Sequence, residues 1–359
     1  MNTLSNAKKK NNIPIFLFSF KKNILPLLFC LFPIFLILFS KSNLLAAKSG
    51  LTLWVNNVLP SLLPFFIATE LLGYTNAVYK IGKLLNPIMR PVFNVPGIGS
   101  YPLLMGIISG YPTGAKIVTD LKENGILTKE EAERLLAFTN NSGPLFILGT
   151  VGITMFANST IGILLLITHI LSSLTVGIIF RFWKTKSKSS LIKNNYSKAN
   201  NQNVCFSNLG EILGKSIFAS IKTIVMIGGF IVLFSVILSI LEKSNILNII
   251  SIIFLPLFKI FNISDINFAT SFFTGILELT NGVMGIATIT SKNISINIIL
   301  TSFLLGFGGL SILLQVYSII SKANISIKPY IIGKVLHGIL AALYTFLLIT
   351  YCPIFNLNL

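Results

Sequence analysis

The chain is poor in charge, above all negative charge, and poor in the residues that carry most enzyme chemistry. Only 10 acidic residues face 28 Lys and Arg, and charged residues make up 11% of 359 positions, where a soluble domain carries about a quarter. Its 2 histidines, His169 and His337, stand alone on apolar stretches without carboxylates at ligand spacing, which excludes the common zinc motifs. The 3 cysteines, Cys30, Cys205 and Cys352, lie far apart, so neither a disulfide framework nor a metal or redox pair is written here. No phosphate-cradling glycine loop followed by Lys-Ser/Thr occurs. These absences predict a chain that is not an enzyme, with no catalytic residue, cofactor or bound metal.

What the chain has instead is apolar sequence in long blocks. Hydrophobic residues reach 53% and cluster over Ile24–Phe39, Leu51–Leu72, Leu135–Phe156, Ile161–Phe182, Ile217–Leu241, Ile296–Ile320 and Tyr330–Tyr351. About 20 such residues cross a bilayer as a helix, so the fold class is all-α and polytopic. A net charge of +18 in a soluble chain would point to nucleic acid. Here the lysines gather at the ends of apolar blocks, the pattern of positive-inside anchoring, and nucleic acid is excluded as a partner. Lys184, Lys186 and Lys188 also suit anionic lipid headgroups. The expected partners are membrane lipid and a small solute or ion, with self-association into a homo-oligomer left open.

Charge also fixes the orientation. Lys8, Lys9, Lys10, Lys21 and Lys22 precede the first apolar run, read as an uncleaved helix, and place the N-terminus in the cytoplasm. Lys80, Lys83 and Arg90 mark a cytoplasmic connection, and so do Arg181, Lys184, Lys186, Lys188, Lys193 and Lys198. Pro96–Ile117 is then held between two cytoplasmic ends, and it is crowded with helix breakers. A re-entrant hairpin fits both facts, with non-helical backbone buried in protein or lining a wet cavity. By the same bookkeeping Phe268–Ile289 re-enters from the outside, and Ile246–Phe261 lies along the outer interface. Thr128 is the expected N-cap of a helix with Glu130–Glu133 in its first turn.

The chain accordingly divides into a cytoplasmic N-terminus and first helix (1–44), a first membrane repeat (45–183), a basic cytoplasmic linker (184–210) and a second membrane repeat (211–352). The halves correspond at a shift of roughly 165 to 170 positions: Gly106–Ser109 falls on Gly275–Glu278, and Gly143–Leu148 on Gly308–Leu313. Interrupted helices at equivalent places in two inverted repeats point to a binding site at the midplane.

Three constellations are candidates for that site. In Ser109, Gly110, Tyr111, Pro112, Thr113, Gly114, Ala115 and Lys116, glycine and proline free backbone groups for a ligand; a kinked helix packed through small residues is the alternative. Lys116 is read either as neutralising an anionic group or as a boundary lysine. Asn140, Asn141 and Ser142, ahead of Gly143-Pro144, are costly in lipid without partners or water; they predict a discontinuous helix, with interhelical polar packing as the alternative. Glu278, followed by Thr280 and Asn281, is expected to bind a cation, carry a proton or pair with Lys116, or else to cap nearby backbone amides. Glu70 is read as an interfacial residue rather than a ligand, and the two histidines as packed.

At these motifs the chain resembles the sporulation integral membrane protein family of the YlbJ type. The resemblance rests on Leu59-Pro60-Ser61-Leu62-Leu63-Pro64-Phe65-Phe66, Met89–Gly97, Ser109–Lys116 and Gly275–Gly282, and it covers about residues 45–350. It implies gate-type, nucleoside-recognition-like membrane domains and a role in spore cortex formation, in the mother-cell membrane. The expected function is a transporter-like protein moving a solute or ion required for cortex formation. The alternative is a non-transporting scaffold for cortex-assembly enzymes.

Overall fold

The computed structural model describes residues 15–75, 77–184, 208–259, 265–289 and 294–355. Most of the basic linker, with Lys186, Lys188, Lys193, Lys198 and Cys205, lies outside the described residues, as do Lys8, Lys9 and Lys10. Among the described residues there is no strand, so the all-α expectation holds.

The N-terminal layer is built from α1 (Ile15–Leu38), α2 (Ser40–Leu53), a π-helical turn (Trp54–Val58) and α3 (Leu59–Gly73). The chain bends by 100° between α1 and α2. From Ser40 to Gly73 it is helical without a gap, so the expected span Leu51–Leu72 is the second part of a longer rod. Across the linker, α9 (Leu209–Lys243) is 35 residues long, or about 52 Å at 1.5 Å per residue, and it lies along α2 and α3. Gly228 makes the contact possible: a Cβ there would stand 2.5 Å from the Trp54 ring. The Trp54 indole N–H donates to the Ile224 carbonyl at 3.1 Å.

The remaining elements follow one order twice. The first half continues with α4 (Ala77–Phe93), α5 (Ser100–Ser109), α6 (Thr113–Glu123), α7 (Lys129–Thr139), a π-helical stretch (Phe146–Met155) and α8 (Ser159–Phe180). The second half has α10 (Ile246–Lys259), α11 (Ile266–Leu277), α12 (Leu279–Thr288), α13 (Ile294–Phe307), α14 (Gly309–Ile320) and α15 (Lys328–Tyr351). In each half a short helix precedes a hairpin of two half-helices, then a helix broken in the middle, then a straight one. Lys80, Lys83 and Arg90 fall on α4, an amphipathic helix rather than the expected loop. Its apolar side buries Met89 and Phe93, and Asn86 Oδ1 accepts from the Gly97 amide at 3.0 Å to close the turn that follows.

Four helical stretches among the described residues, α8, α9, α13 with α14, and α15, are long and apolar enough to cross a membrane, and six if each sharply bent pair is one span. Large apolar side chains such as Ile37, Leu84, Phe218 and Phe346 stay exposed, a liability in water that lipid removes. Between helices in lipid, close packing replaces the hydrophobic effect. Gly106 and Gly114 both press on the Thr139 carbonyl, Gly306 packs on Gly338, and Gly333 packs on Ala137.

The start of α7 follows the expected chemistry. Thr128 caps it in a full capping box with Glu131. Glu133, fully buried, accepts from Trp183 Nε1 and Lys184 Nζ, both at 2.9 Å. Arg134 donates to the Trp183 carbonyl at 2.8 Å, so the end of α8 is tied to α7 just where the linker begins.

Candidate functional site

Each half docks the tip of its hairpin onto the break in the helix that follows. In the first half Gly110 has φ +80°, and a Cβ on it would stand 2.8 Å from the Gly143 amide nitrogen. Only glycine combines that left-handed backbone with that approach. In the second half Gly309, at φ +82°, lies against the Gly275 carbonyl and the Leu279 amide. The breaks at Gly110 and Glu278, and those at Asn140 and Gly308, are separated by the same 168 positions as His169 and His337.

The first break and the second half meet around Asn140. Its side-chain amide donates to the Tyr330 hydroxyl at 2.8 Å, and its carbonyl accepts from Lys334 Nζ at 2.9 Å. Lys334 is buried and lies over the Tyr111 ring at 5.5 Å. Tyr111 in turn shares a hydrogen bond with Ser142, and its ring reaches Gly308. The Ser142 amide donates to His169 Nε2 at 3.0 Å, so the proton of a neutral His169 ring sits on Nδ1. His337 Nε2 donates to the His169 carbonyl at 3.0 Å, leaving its own Nδ1 an acceptor. Both Nδ1 atoms, Asn140 Oδ1, Asn141 Oδ1 and Thr139 Oγ1 are buried without a protein partner. So many orphaned polar atoms in one place call for water or a ligand.

The predicted residues divide between three places. Gly110, Tyr111, Asn140, Asn141 and Ser142 gather at this centre, Asn141 also closing the end of α7 through the Phe138 carbonyl at 3.0 Å. Gly114 is packed under the Thr139 carbonyl, Ser109 Oγ bonds Thr69 Oγ1 at 3.1 Å, and Thr113 and Lys116 face a separate cavity. The expected pairing of Lys116 with Glu278 is corrected: Lys116 pairs with Glu70 on α3. Glu278 caps α12, accepting from the Thr280 amide at 3.1 Å and the Asn281 amide at 2.8 Å. Asn281 thus meets Glu278 through its backbone, and Thr280 through both its backbone and its hydroxyl. Lys334, Tyr330 and the histidine pair belong to the centre and were not among the sequence candidates. A lone lysine six residues beyond Lys328, inside an apolar run, is the signal that marks Lys334.

The first hairpin and the broken helix that follows it fall within a recognised class of membrane domain. A family model for the Gate domain, described as nucleoside recognition, matches residues 55–186, which include the breaks at Gly110 and Asn140. Over 319 residues the chain is 38% identical to the sporulation integral membrane protein YlbJ of Bacillus subtilis, covering 84% of this chain and 76% of that protein. The chain belongs to this family of sporulation integral membrane proteins. No solved structure matches it.

Proposed function

We propose that the protein carries a small, negatively charged solute across the cell membrane, and that this step is required for spore cortex formation. The observation that carries the charge assignment is Lys334. It is buried where the two halves meet, and among the described residues it makes no ion pair with a carboxylate. Among those residues, the Asn140 carbonyl and the Tyr111 ring are all that meets a charge on it, and an anionic cargo would supply a full counter-charge. His169 Nδ1–H and the Tyr111–Ser142 hydroxyl pair stand ready as further donors. The matching order of elements supports a reading as two inverted repeats, with the cytoplasmic N-terminus and mother-cell placement that the lysine pattern and the family suggest.

The test is uptake into proteoliposomes from a panel of labelled carboxylates, phosphate esters, neutral nucleosides and organic amines. We expect an anionic member to accumulate and Lys334→Met to abolish its uptake while the protein stays abundant in the membrane. Uptake confined to neutral or cationic members would overturn the anionic assignment. If no member is taken up and Lys334→Met still complements a deletion strain for heat-resistant spores, the scaffold role takes the place of transport.

A further inference from the structure

A cavity of about 250 Å³ opens between α3, α5, α6 and α9, away from the orphaned atoms around Asn140. Its floor is Thr69, Tyr101 and Thr113, its wall is Phe66 and Tyr74, and its rim is Asp120, Glu123 and Asn124. Lys116 and Glu70 pair within it, their side chains 27% and 26% exposed. That pairing uses the lysine and one carboxylate. Asp120 and Glu123 remain, exposed at the rim, with no ion pair among the described residues. Among the described residues no other charged side chain lines the cavity: α5 contributes Tyr101 and α9 contributes Thr223.

A second observation concerns Thr113. Thr113 Oγ1 is buried, with 4% of the residue exposed, and it has no protein partner although it borders the cavity. A hydroxyl in that state lacks the hydrogen bond that a buried polar group ordinarily makes. Two free carboxylates at the rim with three aromatic rings below them are the chemistry that receives an ammonium group with a short apolar body. A bare metal ion fits less well. Among the described residues no group of three acidic, histidine or cysteine side chains draws close enough to hold one.

We infer that this cavity is a binding site for a small organic ammonium cation. The charged head sits between Asp120 and Glu123, and the apolar part lies against Phe66, Tyr74 and Tyr101 above Thr113. The site is separate from the one around Lys334, and its occupancy is measured as binding, without a gradient or transport.

Crowding by neighbouring atoms raises the Asp120 carboxyl to about 6, with Lys116 opposing the shift and Glu70 and Glu123 adding to it. A carboxyl that gains its proton no longer attracts an ammonium group, so binding should weaken as the pH falls through about 6. The experiment is isothermal titration of the full-length protein in detergent with ethylamine, choline and sodium. We expect saturable binding of an amine at pH 7.5, about tenfold or more weaker in Asp120→Asn/Glu123→Gln. Thr113→Val should weaken it less. Both rim residues are exposed, so the double variant keeps the fold, and an unchanged melting temperature checks that. Absence of amine binding, equal binding by the double variant, or sodium binding as tightly as either amine would each overturn the inference.

Discussion

His169 and His337 face each other with ring centroids 4.5 Å apart, and His337 donates to the carbonyl of His169 from 168 residues further along the chain. The contact joins α8 to α15, the straight helices that close each half. It sits beside a buried hydroxyl cluster in which Thr345 Oγ1 shares hydrogen bonds with Ser302 Oγ at 2.7 Å and Thr168 Oγ1 at 3.1 Å. Equivalent residues meeting at a shared centre is what two repeats related by a two-fold axis would produce.

The two rings are not interchangeable in energy. His169 is the acceptor for the Ser142 amide, and His169→Ala strands that buried N–H, at about 1–3 kcal/mol. The carbonyl that His337 serves also accepts from Ser172 Oγ at 3.0 Å, so His337→Ala leaves it satisfied. Thermal unfolding in detergent should therefore show a larger loss for His169→Ala than for His337→Ala. The reverse order would mean that the Ser142 contact does not hold the break.

Glu278 should behave as a helix cap. Glu278→Gln keeps one side-chain acceptor for the Thr280 and Asn281 amides, while Glu278→Ala keeps none. We expect Glu278→Ala to lose about 0.5–2 kcal/mol and Glu278→Gln to lose less, read as melting temperatures of the purified protein. Equal stability of Glu278→Ala and wild type would remove the capping role. If Glu278→Gln is as stable as wild type yet fails to complement a deletion strain, the carboxylate charge has a task beyond the cap.

The hairpins should each return to the side they enter from. Single cysteines at Asn94 and Asn124, in a background without native cysteines, should react with an impermeant thiol reagent from the cytoplasmic side alone. Cysteines at Asp265 and Thr288 should react from the outside alone. All four positions are exposed. Opposite-side labelling within either pair would turn that hairpin into a crossing helix.

Much of this architecture was legible because backbone chemistry is local. Thr128 followed by Glu131 is a capping signal, and Gly143-Pro144 after three polar side chains marks a break wherever it occurs. The helix breakers of Pro96–Ile117 mark the split between α5 and α6. Pairings across the fold were not legible. Lys116 and Glu70 are 46 positions apart, and nothing in either neighbourhood names the other. Pairing with Lys116 is therefore only one of the roles the sequence leaves open for Glu278, and the capping alternative is the one the structure shows. For Lys334 the sequence gives only its place in an apolar run, six residues beyond Lys328. Only the Asn140 carbonyl, brought to it by the broken helix, shows that it points inward. The prolines of α4, Pro87 and Pro91, hid a helix that the structure keeps.

The half-helices also bear on how the protein is made. The π-helical stretch Phe146–Met155 and α11 have 10 and 12 residues, well short of the about 20 that settle alone in lipid. As each emerges from the ribosome it has no stable resting place in the bilayer, because its broken end exposes backbone groups that lipid cannot satisfy. The break ahead of the first of them, at Asn140, is met by Tyr330 and Lys334, 190 and 194 positions further along the chain. Biogenesis of the first half is therefore left open until the C-terminal helix arrives, and a chain cut within the linker should be cleared by quality-control proteases unless the missing half is supplied as a separate polypeptide.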